Sequence, residues 1–352
     1  MATKRAKTEP IVKLCDLQDG QMGDVFVLFA DRESLTTRDG KPYFRVTFRD
    51  AGRQVSFPVW NNSPLFAACA EEWKPGEFYK LRGIYRETSY GPQLDIEKIR
   101  EVVPNDADEG FDPADFFERT RFDIEAMYAE LVDLAESQIS DKPLRRLVLG
   151  ILEEHAAVIK QIPAATHNHH AYVGGYVEHV LSVTKTAAYL AEKYATYYDT
   201  LQPPLDRSLV VAGAVLHDVG KIFELELHKQ RYEYSAAGRL IGHILMGRDM
   251  VRKAAESVPD LDPDRLLRLE HVIVAHQNLA EWGSPKSPHT LEALIVHYAD
   301  DLDAKLQMMA QALESDRSDG PFTSRHNPLR RHVYRGPVAG PERSPSTREL
   351  FD

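Results

Sequence analysis

The stretch LVVAGAVLHDVGK, Leu209–Lys221, decides how the second half of the chain is read. Its apolar run has the character of a buried helix and ends on an adjacent imidazole and carboxylate, His217 and Asp218. A carboxylate carried into such surroundings is costly unless a counter-charge meets it. A divalent cation supplies that charge. Consecutive helical residues point about 100° apart, so His217 and Asp218 reach one metal cluster only from a helix end. Val219-Gly220 provides the end, and Lys221 follows one turn after His217, on the side where an ammonium can hold a phosphate oxygen.

Further histidines stand beside apolar residues at helical spacing: His179 in VEHVL, His243 in IGHIL and His276 in VIVAHQ, with Asp300 following in HYADD. A single histidine in such a setting is usually a satisfied core residue. Four in succession, one joined to an aspartate, read instead as ligands. Imidazole and carboxylate donors without thiolate suit manganese, iron, cobalt, nickel or zinc. An aspartate can bridge two ions that together neutralise a phosphoryl group during in-line displacement. The expectation is therefore two divalent ions, with manganese placed first and cobalt, iron, nickel or zinc compatible.

The rest of the chain frames this centre. The 352 residues allow two domains with their own cores, and a formal charge of −11 argues against non-specific coating of nucleic acid. No apolar run approaches the roughly 18 residues of a membrane span, and the basic start MATKRAKTEPIVK lacks the apolar core of a secretory signal. Cys15 and Cys69 form no metal or disulfide motif. We expect a cytoplasmic protein without a membrane partner, and a homo-oligomer is compatible with the sequence.

Residues 10–103 read as short alternating strands, VFVLF, YFRVTFRD, QVSFPVW, YKLRGIYRE and PQLDIEKI, with turns at Asp39-Gly40, Ala51-Gly52 and Ser89-Tyr90-Gly91. The helix candidate SPLFAACAEEW falls after the third strand. That order is the order of a five-stranded OB-fold barrel, a platform for single strands. Residues 104–120 read as an acidic linker, 121–314 as an all-α domain, and 315–352 as a flexible Arg/Pro/Ser-rich tail, whose arginines Arg325, Arg330, Arg331 and Arg335 are able to touch phosphates, although a solvated disordered end is the favoured reading.

The series His179, His217-Asp218 and Asp300 resembles the HD-domain superfamily of metal-dependent phosphohydrolases. The phrases HHAYVGGYVEHVLSV, AVLHDVGKIFEL, GRLIGHILMG, AHQNLAEWGSPKSPHTLEA and HYADDLDAKL, behind an OB-like domain, are together similar to the YhaM family of 3′-to-5′ exoribonucleases, over roughly Val25 to Gln311. The resemblance implies metal positions at His179, His217, Asp218, His243, His276 and Asp300, with Asp218 and Lys221 catalytic. Gln277 stands where relatives tend to carry another histidine, which fits two metals rather than three. Asp300, Asp301 and Asp303 compete for the last position; Asp300 falls on the family's place, while Asp301 is spaced to pair with Lys305. His169 and His170, in the segment HNHH with His167, are assigned a substrate-side role by the resemblance, against a surface-loop reading of equal weight. Trp282 either offers a base a stacking face or caps the helical core.

In the barrel, Phe44, Phe57, Trp60, Tyr85 and Tyr90 are interleaved with Arg45, Arg49, Lys80, Arg82 and Arg86. Alternation sends at least half of these aromatics inside, and Trp60 is placed there by preference. Phe44, Trp60, Arg82 and Tyr85 are carried as strand-contact candidates. The function expected is hydrolysis of single-stranded RNA from its 3′ end to 5′-nucleotides by metal-activated water. Single-stranded DNA is a second substrate, because stacking and phosphate contacts do not distinguish the sugars. The alternatives are an HD-type nucleotide phosphohydrolase or cyclic-dinucleotide phosphodiesterase, and a non-catalytic RNA-binding protein.

Overall fold

The computed structural model describes residues 11–88, 91–166, 169–228, 231–316 and 318–336. Tyr90 and His167 lie outside them. The chain parts into two compact units, the first running to Arg119 and including Leu227–Arg231, the second made of Thr120–Glu226 and the chain from Tyr232 on, and each is taken by itself.

The first unit is built on β2 (Met22–Thr36), which serves two partners in turn. Its first half pairs antiparallel with β5 (Phe78–Thr88), and its second half pairs with β3 (Pro42–Arg49) past an irregularity at Phe29/Asp31. β3 pairs with β4 (Gln54–Trp60), β5 with β6 (Gly91–Glu101), and helix α1 (Phe66–Glu71) follows β4. The five strands and the helix thus lie where the alternation puts them. Two features correct the barrel expectation. A sixth strand, β1 (Ile11–Val12), adds parallel to β2, and it is too short for any period to show in sequence. The sheet order β4-β3-β2-β5-β6 is an open path: β4 and β6 approach each other without a hydrogen-bonded ladder, so no closed barrel forms.

Period two fixes the inner face, where Val27, Phe29, Val46, Phe48, Val55, Val59, Tyr79, Leu81 and Tyr85 form one core. The Asp39-Gly40 turn is real. Gly40 sits at φ +76°, which glycine adopts without a Cβ clash, and Thr37 N–H donates to the Lys41 carbonyl at 2.9 Å. At Ala51-Gly52 the turn is held by the Asp50 carboxylate, which accepts from Gly52 N at 2.9 Å and Arg53 N at 2.7 Å.

The acidic segment after β6 is structured. Pro104–Glu109 and Pro113–Phe116 are 3-10 turns, and Phe111 and Phe116 pack with Phe26, Leu28 and Phe78 on the far face of β2. Asp106 is buried and accepts from Arg100 at 2.6 and 2.7 Å and from Val103 N at 2.8 Å. The Arg100 guanidinium holds its carboxyl down at about 2. A depressed carboxyl stabilises the fold above its unfolded value, and that contribution disappears as pH falls through the folded value. We therefore expect the sheet unit to lose about 1–2 kcal/mol between pH 4 and pH 2 through this group. Asp106→Ala should remove that slope and lower the neutral-pH stability by a similar amount, read from denaturant melts on the fluorescence of buried Trp73.

The second unit is mainly helical: α2 (Ile124–Gln138), α3 (Lys142–Ile159), α4 (Gly175–Tyr197), α5 (Arg207–Leu216), α6 (Lys221–Glu224), α7 (Ala236–Ile241), α8 (His243–Ala255), α9 (Pro263–Ala275) and α10 (Leu291–Ser315). Asp123, Asp141, Asp206, Asp262 and Thr290 cap five of them by accepting from backbone N–H groups of the first turn. Every residue of α5 from Ser208 to Leu216 is buried, as its all-round apolar sequence requires. The run RLIGHILMG is broken by Gly242 at φ +81°, which starts α8 on His243.

The all-α expectation misses a small sheet of β7 (Leu225–His228) and β8 (Arg231–Tyr234), where LELH and RYEY follow period two over only four residues each. The flexible tail is also corrected as far as Gly336. Phe322 bridges to Tyr334, Thr323 and Val333 are buried, and Arg335 pairs with Asp316 at the end of α10. Two buried residues ten apart, flanked by the Phe322–Tyr334 bridge, close a loop that composition alone reads as solvated. Residues 337–352 lie outside the described ones. Among the described residues no helix is long and apolar enough to cross a membrane.

Candidate metal centre

Four elements converge on Asp218. α5 ends at Leu216 and α6 begins at Lys221, so the pair sits in the turn that the sequence demands. The two carboxylate oxygens of Asp218 then face different sets of nitrogens. Oδ2 lies 3.7 Å from His179 Nε2 and 3.6 Å from His217 Nε2. Oδ1 lies 3.2 Å from His243 Nε2 and 3.5 Å from His276 Nε2. Asp300 Oδ1 joins the first set, 3.2 Å from His179 Nε2 and 3.8 Å from His217 Nε2. All six expected ligand residues are thereby brought together in two groups, His179-His217-Asp300 and Asp218-His243-His276, each compact enough for one ion.

The far nitrogens explain the orientation. Nδ1 of His217 donates to the Ala214 carbonyl at 2.7 Å and Nδ1 of His276 to the Ile273 carbonyl at 2.8 Å. A carbonyl only accepts, so Nδ1 carries the hydrogen and Nε2 is left bare in the neutral ring, the tautomer a metal requires. Burial pushes His217 down to about 4, which keeps it neutral. His179 and His243 are backed by carboxylates instead, Nδ1 to Asp303 Oδ2 at 2.7 Å and Nδ1 to Glu224 Oε1 at 3.0 Å. Burial alone would lower both, yet Asp300 and Asp303 around His179, and Asp218 and Glu224 around His243, raise each to about 9. Burial would raise Asp218, and Lys221 and the histidines instead hold it well below the carboxylate range.

The fit to a cation can be tested on the polar atoms. His179 Nε2, His217 Nε2, His276 Nε2 and Asp218 Oδ1 are buried without a hydrogen-bond partner among the described residues. Such atoms are normally satisfied. Here they stand among His243 Nε2, Asp218 Oδ2 and Asp300 Oδ1 at separations of 3.2–3.8 Å, a ring of inward-facing donors suited to a cation between them. Nitrogen and oxygen donors without sulfur fit divalent first-row metals.

The centre opens into a cavity of about 690 Å³ whose wall carries His169, Lys221, Gln277, Trp282 and Lys305. Lys221 is buried with Nζ 2.6 Å from Asp218 Oδ2. Trp282 is half exposed, with Lys305 Nζ 5.8 Å from its ring centre, so it lines the opening and does not cap the core. Asp301 pairs with Lys305 at 2.7 Å as the i, i+4 spacing requires.

Several expectations are corrected. His169 faces the cavity, but His170 turns away into a buried network, with Nδ1 2.9 Å from Tyr172 Oη and Nε2 3.1 Å from Asp303 Oδ2. Asp303 is thus a support for His179 and His170 and not a ligand of the paired groups. Its partners hold it below the carboxylate range although burial opposes this. In the sheet unit, Tyr85 is core, because it shares the inward parity of Tyr79 and Leu81. Arg82 is engaged by Asp24, with Nε donating to Oδ1 at 2.6 Å. Phe44 stacks on Phe66 at 4.9 Å against the core, and Phe57 is core. Trp60, placed inside from sequence, is 46% exposed because Val55, Phe57 and Val59 take the inward parity. Sequence reasoning missed Glu224 and weighed Asp303 only as a rival ligand; both lie within the quoted phrases, and their supporting roles are recognisable only by what they touch.

Residues 176–305 match the model of the HD domain family. The match contains all six converging residues, and HD domains are typically metal-dependent phosphohydrolases. Among solved structures, the second OB-fold domain of replication protein A from Methanococcus maripaludis is similar over 26% of this chain and 94% of that chain, at 15% identity and a TM-score of 0.21. A likeness of that size carries no argument, and the sheet topology stands on its own hydrogen-bond register.

Proposed function

We propose that the chain is a metal-dependent 3′-to-5′ exoribonuclease of the YhaM type, hydrolysing single-stranded RNA to 5′-nucleotides, with single-stranded DNA as a second substrate. The observation that carries the reading is Asp218, whose two oxygens each face a separate pair of histidine Nε2 atoms at the floor of an open cavity. Two divalent ions, manganese first, held by His179, His217 and Asp300 and by His243 and His276 with Asp218 between, would supply a nucleophilic water and neutralise phosphoryl charge.

The protein's own groups do the rest. Lys221 balances Asp218 and stands where it can hold a phosphate oxygen. His169, kept neutral by burial at about 3, presents an uncharged imidazole to the same space. Trp282 offers the terminal base a face. In the sheet unit, the exposed Trp60 lies with Tyr43 at a ring distance of 4.8 Å, an aromatic surface suited to unpaired bases. Water is added across the terminal P–O3′ bond, which releases a 5′-nucleotide and leaves a new 3′-hydroxyl.

The test is an incubation of end-labelled single-stranded RNA, a dNTP and a cyclic dinucleotide with the protein in Mn²⁺, alongside Asp218→Ala. A ladder shortening from the 3′ end, absent in the variant, is expected. Intact RNA beside a hydrolysed nucleotide would make the chain an HD-type nucleotide phosphohydrolase instead.

A further inference from the structure

The loop after α10 brings arginines to the edge of the metal cavity. Pro328 stands on the cavity wall with Trp282 and Lys305, and it also lines an adjoining depression formed by Arg325, His326, Asn327 and Arg330. Arg325, Arg330 and Arg331 are exposed, and among the described residues none of them has a carboxylate partner. Arg335, by contrast, is tied to Asp316. Asp319 is the one acid of residues 318–336, whereas the cavity beside the loop carries Asp218, Glu224, Glu281, Asp300 and Asp301. An acidic cavity that takes a polyanion needs positive charge at its mouth.

The loop is built rather than incidental. Thr323 and Val333 are buried, Thr323 N donates to the Val333 carbonyl at 2.9 Å, and the Asn327 amide donates to the Ser324 carbonyl at 2.7 Å and the Arg331 carbonyl at 2.8 Å. Within that framework Arg330 sits at φ +52°, a conformation unfavourable for a side-chain-bearing residue that persists where neighbours enforce it. The positive φ falls two residues after Pro328, on an exposed residue whose guanidinium has no carboxylate partner among the described residues.

We propose that Arg325, Arg330 and Arg331 form a phosphate-binding rim that holds the backbone of a single strand upstream of the nucleotide seated in the cavity. The inference rests on the polymer-cleaving reading above and assigns the rim to phosphodiester oxygens, which guanidinium groups fork. Base identity is not read there.

The experiment measures binding without chemistry. Anisotropy of a fluorescent 20-nucleotide RNA is titrated with the full chain in EDTA at several salt concentrations, for the wild type, the triple variant Arg325→Ala/Arg330→Ala/Arg331→Ala, and the triple Arg→Lys variant. Losing three contacts should weaken binding about tenfold or more at low salt and shrink the slope of log K against log salt by about 2. The lysine variant should restore the salt slope and part of the affinity, because it returns the charges without the forks, which separates lost charge from a disturbed loop. Equal affinity and slope for wild type and alanine variant overturns the rim, and so does failure of lysine to restore the slope. RNA degradation in Mn²⁺ is scored separately: arginine-dependent binding without degradation defeats the nuclease reading and leaves the rim standing, and degradation with arginine-independent binding does the reverse.

Discussion

Asp218→Asn is expected to abolish phosphodiester hydrolysis and metal retention together while leaving the helical unit folded. The substitution keeps the shape of the side chain and removes one charge, so its cost is electrostatic. Asp218 is 2% exposed and meets Lys221 at 2.6 Å, His243 at 3.2 Å and His276 at 3.5 Å. As the residue facing both nitrogen sets, it is the one of the six whose loss would reach both proposed ions. A metal centre stabilises transition-state charge by several kcal/mol, and each 1.4 kcal/mol is a factor of ten, so turnover should fall about 10³-fold or more. Metal analysis after gel filtration should show loss of bound Mn²⁺, and added Mn²⁺ should no longer raise the melting temperature as a ligand of the native state does. Without metal the variant leaves the buried Lys221 ammonium facing a neutral amide, which should cost about 3 kcal/mol of stability. Full metal content with lost activity would place Asp218 in chemistry alone and not in metal binding.

How much of this was legible in the sequence depends on whether the signal was covalent or spatial. His217 and Asp218 are adjacent in the chain, and their position after an apolar run forces a helix end, so the turn between α5 and α6 could be read directly. His179, His243, His276 and Asp300 were found by their apolar neighbours and by resemblance, and they converge because their helices do. Asp300 and Asp303 are one turn apart and chemically alike. Only the fold shows that the first faces His179 Nε2 and the second His179 Nδ1. Glu224 is the same case, since it accepts from both the backbone N and the ring of His243. In the sheet unit the period was right and the parity was open: Tyr85 and Trp60 exchange the sides expected of them because Tyr79 and Leu81 anchor one strand and Val55, Phe57 and Val59 the other. Contacts that close over ten or more residues, such as the Thr323–Val333 loop, leave no periodic trace at all.

Gly220→Ala should damage the centre without touching a ligand. Gly220 has an ordinary helical φ of −65°, so its glycine is not needed for backbone freedom. It is needed for approach. A Cβ there would strike the carbonyl oxygen of His243 and lie 2.5 Å from Gly247 N, both in the first turn and a half of α8. Neither contact is a side chain that can swing away. α8 would have to withdraw, carrying His243 off Asp218 Oδ1 and breaking its bonds to Glu224. The Asp218-His243-His276 set would open, while His179, His217 and Asp300, held by α4, α5 and α10, would stay in place. Backbone overpacking of this kind costs about 3 kcal/mol or more. The expected result is a melting temperature lower by several degrees, roughly half the wild-type metal content, and activity lost to an extent that excess Mn²⁺ does not restore. Gly247→Ala reaches the same interface from the other side, 2.9 Å from Gly220 N, and should reproduce the pattern more mildly. A Gly220→Ala protein with wild-type stability and two bound metals would show that α8 is not held against the His217-Asp218 turn by this contact.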